Sequence, residues 1–211
     1  MRHQLLAVTA TAFLVAPAAS AQVGTNAALL NPNLASEAEL AAVSHVGPEG
    51  AETIIDGRPW LSAAALDAAI GAGLSDEQRG AVYARLWLPI NLNDVTDAEI
   101  QLIPGVGRRM AHEFEEYRPY VALPEFRREI GKYVDDDEVA RLEQYVFVPL
   151  NLNTASSEDL ATIPGIGPRM IHEFEEYRPY VSIEQFRREI GKYVDDDEVA
   201  RFERYVSIAG S

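Results

Sequence analysis

Apolar residues in this chain fall in short clusters of helical spacing, and the clusters return every sixty positions. Met110, Phe114 and Tyr117 stand at i, i+4 and i+7, one stripe of an amphipathic helix. Phe126 with Ile130 marks a third helix of the same unit, and Val139, Leu142, Tyr145 and Val146 mark a fourth. The first is announced by Thr96 and Glu99, the Ser/Thr-x-x-acid spacing in which a side-chain oxygen and a carboxylate satisfy free amides at a helix start. Ser36 with Glu39 and Ser156 with Asp159 repeat that signal. Pro119 ends the second helix, because the residue before a proline avoids helical angles, and Gly131 ends the third. No window alternates with period two over a useful length, so the pattern predicts an all-α chain of four helices per unit.

The period itself is explicit. Asn31-Pro32-Asn33-Leu34, Asn91-Leu92-Asn93-Asp94 and Asn151-Leu152-Asn153-Thr154 lie sixty apart. Residues 112–121 are identical to 172–181, and 126–141 to 186–201. The first copy keeps only the frame, with Arg58-Pro59-Trp60 under Arg118-Pro119-Tyr120. Three tandem units follow, 31–90, 91–150 and 151–211, behind a linker at 22–30. The joints Trp87-Leu88-Pro89-Ile90 and Phe147-Val148-Pro149-Leu150 are apolar and lack glycine and serine, unlike flexible linkers. They predict units packed end to end as a semi-rigid, elongated array.

Candidate chemistry sits between the first two helices of a unit. Ile103-Pro104-Gly105-Val106-Gly107-Arg108-Arg109 and Ile163-Pro164-Gly165-Ile166-Gly167-Pro168-Arg169 each read as a tight reversal opening a helix. Glycine suits a reversal that needs left-handed angles and a backbone bare enough for close approach. Amides at a helix N-terminus have no intrahelical partner and, with the helix dipole, favour an anion. Apolar-Pro-Gly-apolar-Gly followed by a helix resembles the helix-hairpin-helix motif of non-sequence-specific DNA-binding proteins. With the Asn-x-Asn stretch in front it is most similar to the periplasmic competence domains of the ComEA family. That resemblance implies SAM/HhH-like four-helix units that hold the backbone of double-stranded DNA. Gly105, Val106, Gly107, Gly165, Ile166 and Gly167 would donate amides, and Arg108, Arg109 and Arg169 would add charge.

Other features change this picture. Acidic residues number 33 against 18 basic ones, a net charge of −15, where nucleic-acid binders are usually basic. In the first unit His45 replaces the first hairpin glycine, and Pro48 and Glu49 replace the arginine pair, so that hairpin is expected to serve packing alone. ComEA-like domains carry a second hairpin, but here Gly131 stands alone before Asp135-Asp136-Asp137-Glu138, acids that suit helix capping and repel phosphate. Arg127 and Arg128, with Arg187 and Arg188, read as ion-paired surface. Tyr117, Tyr120, Tyr133 and Tyr145 read as core and inter-unit packing.

Arg2 and His3, an apolar run over 5–16 and Ala19-Ser20-Ala21 form a secretory signal expected to be cut before Gln22, leaving no membrane span in an exported, periplasmic or secreted chain. There is no cysteine, so each unit depends on its own core. His112 and Glu116 alone do not make a metal site, and no nucleophile–base pair or phosphate-binding Walker loop appears. No cofactor, no metal and no enzymatic activity are expected. Two partner classes stay open: duplex DNA, or a periplasmic protein bound in the manner of the PsbU-type photosystem subunits, which share the fold.

Overall fold

The computed structural model describes residues 29–208. The expected signal segment, 1–21, and most of the linker, 22–28, lie outside the described residues. Within them the chain is mostly helical. Four helices run α1 (Glu37–Ala41), α2 (Gly47–Asp56), α3 (Ala63–Ile70) and α4 (Asp76–Tyr83). After the short strand β1 (Ile90–Asn91) come α5 (Asp97–Ile100), α6 (Arg108–Glu116), α7 (Leu123–Ile130), α8 (Asp136–Glu143) and β2 (Val146–Phe147). The order then repeats as β3 (Leu150–Asn151), α9 (Ser157–Leu160), α10 (Pro168–Glu176), α11 (Ile183–Ile190), α12 (Asp196–Glu203) and β4 (Val206–Ser207).

Local chemistry places most of these boundaries. Ser36, Thr96 and Ser156 cap α1, α5 and α9 through complete capping boxes. Asp135 caps α8, accepting from Glu138 N at 3.0 Å, with three further acids in the first turn. Gly131 ends α7 in right-handed helical geometry, where a Cβ would meet Arg127 O at 2.8 Å. That glycine is therefore explained by packing. The fourth helix is shorter than its apolar stripe, because Tyr145 lies in the turn after it and Val146 begins β2.

The strands are the feature the helical periodicity hides. Each repeat is closed by a parallel clasp that joins the residues at its entry to residues shortly before its exit. Leu30 bridges Leu86, Ile90 and Asn91 pair with Val146 and Phe147, and Leu150 and Asn151 pair with Val206 and Ser207. Two residues per strand carry no legible alternation. A second repeated device holds the copy from inside. Asn93 Nδ2 donates to Tyr120 O at 2.8 Å while its Oδ1 accepts from Tyr120 N at 2.7 Å. Arg118 donates from Nε to Leu92 O and from Nη2 to Val95 O, at 2.6 and 2.7 Å. The same bonds recur from Asn33 and Arg58, and from Asn153 and Arg178. Arg58, Arg118 and Arg178 each precede a cis proline. The Asn-x-Asn and Arg-Pro-aromatic signatures thus serve one internal lock.

The first two copies share one continuous apolar core that includes Leu40, Ile54, Trp87, Ile100, Phe114 and Phe126. A second core, with Phe147, Leu160, Phe174 and Phe186, holds the third copy. The apolar residues of the joints are buried, and Trp87 Nε1 donates to Tyr145 O at 2.8 Å across the first of them. The elongated, end-to-end array is not what forms. Arg204 Nη2 reaches back 115 residues to Pro89 O at 2.8 Å, and Leu34 lies against the turn at Gly165. First and third copies therefore touch.

Candidate functional site

The loop into α6 shows which glycines the backbone requires. Gly105 sits at φ +80° and Gly165 at φ +75°, angles that L-residues resist. Gly107 and Gly167 are different. Each is the N-cap of its helix in extended geometry, at φ −99° and −97°. A Cβ on either would meet nothing within 4 Å. Neither conformation nor internal packing accounts for the missing side chain there. Of the two jobs assigned to the glycines, the left-handed angle falls to the first of each pair alone.

The amides divide in the same way. Val106 N donates to Ile103 O at 3.0 Å and Ile166 N to Ile163 O at 3.1 Å, closing the turns. These two residues were expected to offer amides outward, and the turn consumes them. Val106 instead packs its side chain into the core. The N–H groups of Gly105, Gly107, Arg108 and Arg109 have no acceptor among the described residues, and no side chain caps α6. At α10 Gly165, Gly167 and Arg169 are in that state, while Pro168 has no N–H to give. Most other helices carry a Ser, Thr or Asp cap.

Charge partners single out the same spot. In the second copy Arg118 is tied to carbonyls, Arg127 to Glu143, Arg128 and Lys132 to Glu129, and Arg141 to Glu138. Among the described residues of that copy, Arg108 and Arg109 are the cations without an acidic partner, and both are exposed. In the third copy Arg169 makes no ion pair and lies over the Tyr193 ring, 5.7 Å from its centre. The reading of Arg127, Arg128, Arg187 and Arg188 as paired surface matches the ion pairs they make.

A cavity of about 440 Å³ opens beside the second hairpin, lined by Gly107, Arg109, Met110, Glu113, Lys132 and Tyr133. Glu113 is only 8 % exposed, and its Oε2 has no hydrogen-bond partner. Tyr133 was expected in core or inter-unit packing but is exposed, its hydroxyl 2.8 Å from that of Tyr117. Hydrogen bonding to Tyr117 first, and then to Glu113, pushes the Tyr133 hydroxyl well above the ordinary tyrosine range, so it stays a neutral donor. The fourth helices add cations that sequence reading passed over. Arg141 Nη2 stands 3.4 Å from where a Cβ of Gly105 would be, and Arg201 donates to Pro164 O. Both also pair with a glutamate one turn earlier, at i−3, and only that pairing is visible in sequence.

The two glycine hairpins are not equivalent. At Gly165 the Leu34 side chain comes within 2.8 Å of the Cβ position and Arg201 within 3.2 Å, whereas Gly105 has Arg141 alone. In the first copy His45 takes the left-handed role at φ +66° and Gly47 adopts φ +62°, with Glu49 in the first turn of an uncapped α2. No group of three or more His, Cys, Asp or Glu that could hold a metal occurs among the described residues. No helix there is long and apolar enough to cross a membrane.

No protein-family profile matches the chain, and no solved structure matches it. Among curated proteins it is similar to an endonuclease/exonuclease/phosphatase family domain-containing protein 1 from Xenopus laevis, at 28% identity over 45% of this chain and 23% of that protein. The match therefore spans less than a quarter of the relative. It overturns the expectation of no enzymatic activity, which rested on the missing nucleophile–base pairs and metal clusters: a relative named for nucleases and phosphatases shares part of this sequence.

Proposed function

We propose that this chain is an exported array of three helix-hairpin-helix units, 31–90, 91–150 and 151–211, that binds the phosphate backbone of double-stranded DNA without sequence choice. The observation that carries the reading is the bare N-cap of α6: Gly107 lacks a side chain for no internal reason, and unbonded amides and two unpaired arginines surround it. Unpaired amides and a helix dipole at one point are an anion site, and arginine supplies charge-assisted bonds to it. Phosphate contacts position a protein on a duplex without reading bases. The relative's name adds support, since nucleases and phosphatases both act on phosphate esters.

The second hairpin is the principal contact and the third a weaker one, because Leu34 stands over Gly165 and Pro168 removes one donor. The net charge of −15 does not forbid this. At a Debye length of about 8 Å in physiological salt, distant acids are screened while the local arginines act at contact. The test is fluorescence anisotropy of a labelled random duplex with Arg108→Glu/Arg109→Glu, alongside plasmid nicking with and without magnesium. Binding should fall for every sequence alike. Unchanged binding in that variant refutes the site.

A further inference from the structure

We infer that the cavity beside the second hairpin is a pocket for a phosphorylated guanine nucleotide, with the phosphate on the bare N-cap of α6 and the base edge on Glu113. The inference rests on the reading that this N-cap holds phosphate, and extends it to a base. Gly107 and Arg109 line the cavity from the hairpin side, and Lys132 and Tyr133 from the turn after α7. Glu113 lies one helical turn after Arg109, so the two present opposite charges to one space. At about 440 Å³ that space falls within the range of small-molecule sites.

Glu113 is the group that calls for a ligand. A carboxylate this buried ordinarily has donors around it, and its Oε2 has none. The neighbouring cation is already engaged: Lys132 pairs with Glu129 and lies over the Tyr117 ring, 4.6 Å from its centre. A fitting ligand therefore carries an anion for the amides and Arg109, and N–H groups for a carboxylate. Guanine offers two parallel donors, N1–H and N2–H, that match one carboxylate. Adenine, cytosine and thymine each set an acceptor beside their donor, which a carboxylate repels. The exposed ring of Tyr133 gives the base a face to stack on. The same group recurs in the third copy, where Glu173 is buried with Oε2 unpartnered and Lys192 lies over Tyr177. The first copy, whose hairpin lacks the arginines, lacks the group as well: Thr53, Gly57, Ala72 and Gly73 stand at the positions of Glu113, Tyr117, Lys132 and Tyr133. Paired bases inside a duplex do not present the N1 edge, so the pocket takes a free nucleotide or an unpaired strand end and leaves duplex binding without sequence choice.

The experiment is calorimetric titration of the purified full chain with dGMP, dAMP, dTMP, deoxyguanosine and inorganic phosphate. dGMP should bind about tenfold tighter than dAMP or dTMP, the scale of one matched bidentate pair, and deoxyguanosine should bind more weakly than dGMP for want of its phosphate. Glu113→Gln/Glu173→Gln should bring dGMP down to the affinity of dTMP and leave dTMP and inorganic phosphate unchanged. It should melt no lower than the parent, because it removes charge from a buried site. A duplex with an unpaired 5′-phosphorylated guanine overhang, set against one closed by a loop at each end, separates the two sources: competition with dGMP by the overhang alone assigns the pocket to strand ends, and competition by neither assigns it to the free nucleotide. Equal affinities for dGMP and dTMP overturn the inference, and so does a guanine preference that survives the double substitution. Duplex binding that is lost with Arg108→Glu/Arg109→Glu would then still uphold the phosphate reading by itself.

Discussion

Replacing Gly107 and replacing Gly105 should have opposite consequences, although the two residues are neighbours in one motif. At Gly105 the backbone is left-handed, φ +80°. A Cβ in that region costs ~1–2 kcal/mol, of which ~0.4–1 kcal/mol is offset by the stiffer unfolded chain. Gly105→Ala should therefore lose about 1 kcal/mol, a fall in Tm of roughly 2–4 °C for a domain of this size. Gly107 is extended, with no atom within 4 Å of a Cβ. There the same unfolded-state gain of ~0.4–1 kcal/mol meets a loss of cap preference of ~0.5 kcal/mol, and Gly107→Ala should leave Tm within about 2 °C on that scale. Binding should show the reverse. A side chain at Gly107, and above all Val, stands between the phosphate and the free amides. Losing one charge-assisted bond of ~1.5–3 kcal/mol weakens affinity about tenfold or more. Thermal melts by circular dichroism and anisotropy titration of a short duplex read the two quantities separately. If Gly107→Val melts several degrees early, or binds as the parent does, the argument that this glycine is bare for a ligand is refuted.

Leu34→Ala should uncover the third hairpin and tighten duplex binding about 2–3-fold through a second engaged contact on one molecule, measured by the same titration. Asp135→Ala should cost ~1 kcal/mol as a lost helix cap, while Asp135→Asn, which still caps, should be nearly neutral in the melt. Arg118→Ala should be far worse than Arg127→Ala, since it strands Leu92 O and Val95 O in the internal lock whereas Arg127 makes an exposed ion pair. The Glu138 carboxyl is held below the ordinary glutamate range, chiefly by its hydrogen bonds from Arg141. A depressed pKa gives stability that is present above the unfolded value and lost as pH falls through the folded one. Melting temperature should thus decline as pH drops below about 4.5, and Glu138→Gln should flatten that decline.

The helices and their starts were legible because capping boxes and i, i+4 stripes are local signals. Ser36, Thr96 and Ser156 announce α1, α5 and α9 on their own. The clasps were not, since a two-residue strand has no alternation to read and its partner lies 56 residues away, as Ile90 does from Val146. The Asn93–Tyr120 and Arg118–Leu92 lock was visible as a conspicuous repeat, but only geometry shows that it binds carbonyls inside the copy. At the hairpin, sequence located the glycines and the three arginines. It could not separate the glycine that makes the turn from the one that stays open, because φ is not written in residue type. Nor could it show that Val106 and Ile166 spend their amides on closing the turn, or that Leu34, 131 residues earlier, leans on Gly165.

The central claim is that unpaired amides and arginines at the hairpin hold phosphate. Its most direct measurement is the affinity of the native chain for random-sequence duplex DNA from ~50 to ~200 mM salt. With about 2–4 phosphates neutralised, log affinity should fall with log salt at a slope of roughly −0.9 per phosphate, and binding should be plain at the low end. No duplex binding at ~50 mM salt, where such contacts are strongest, would contradict the account and leave the hairpins to a protein partner.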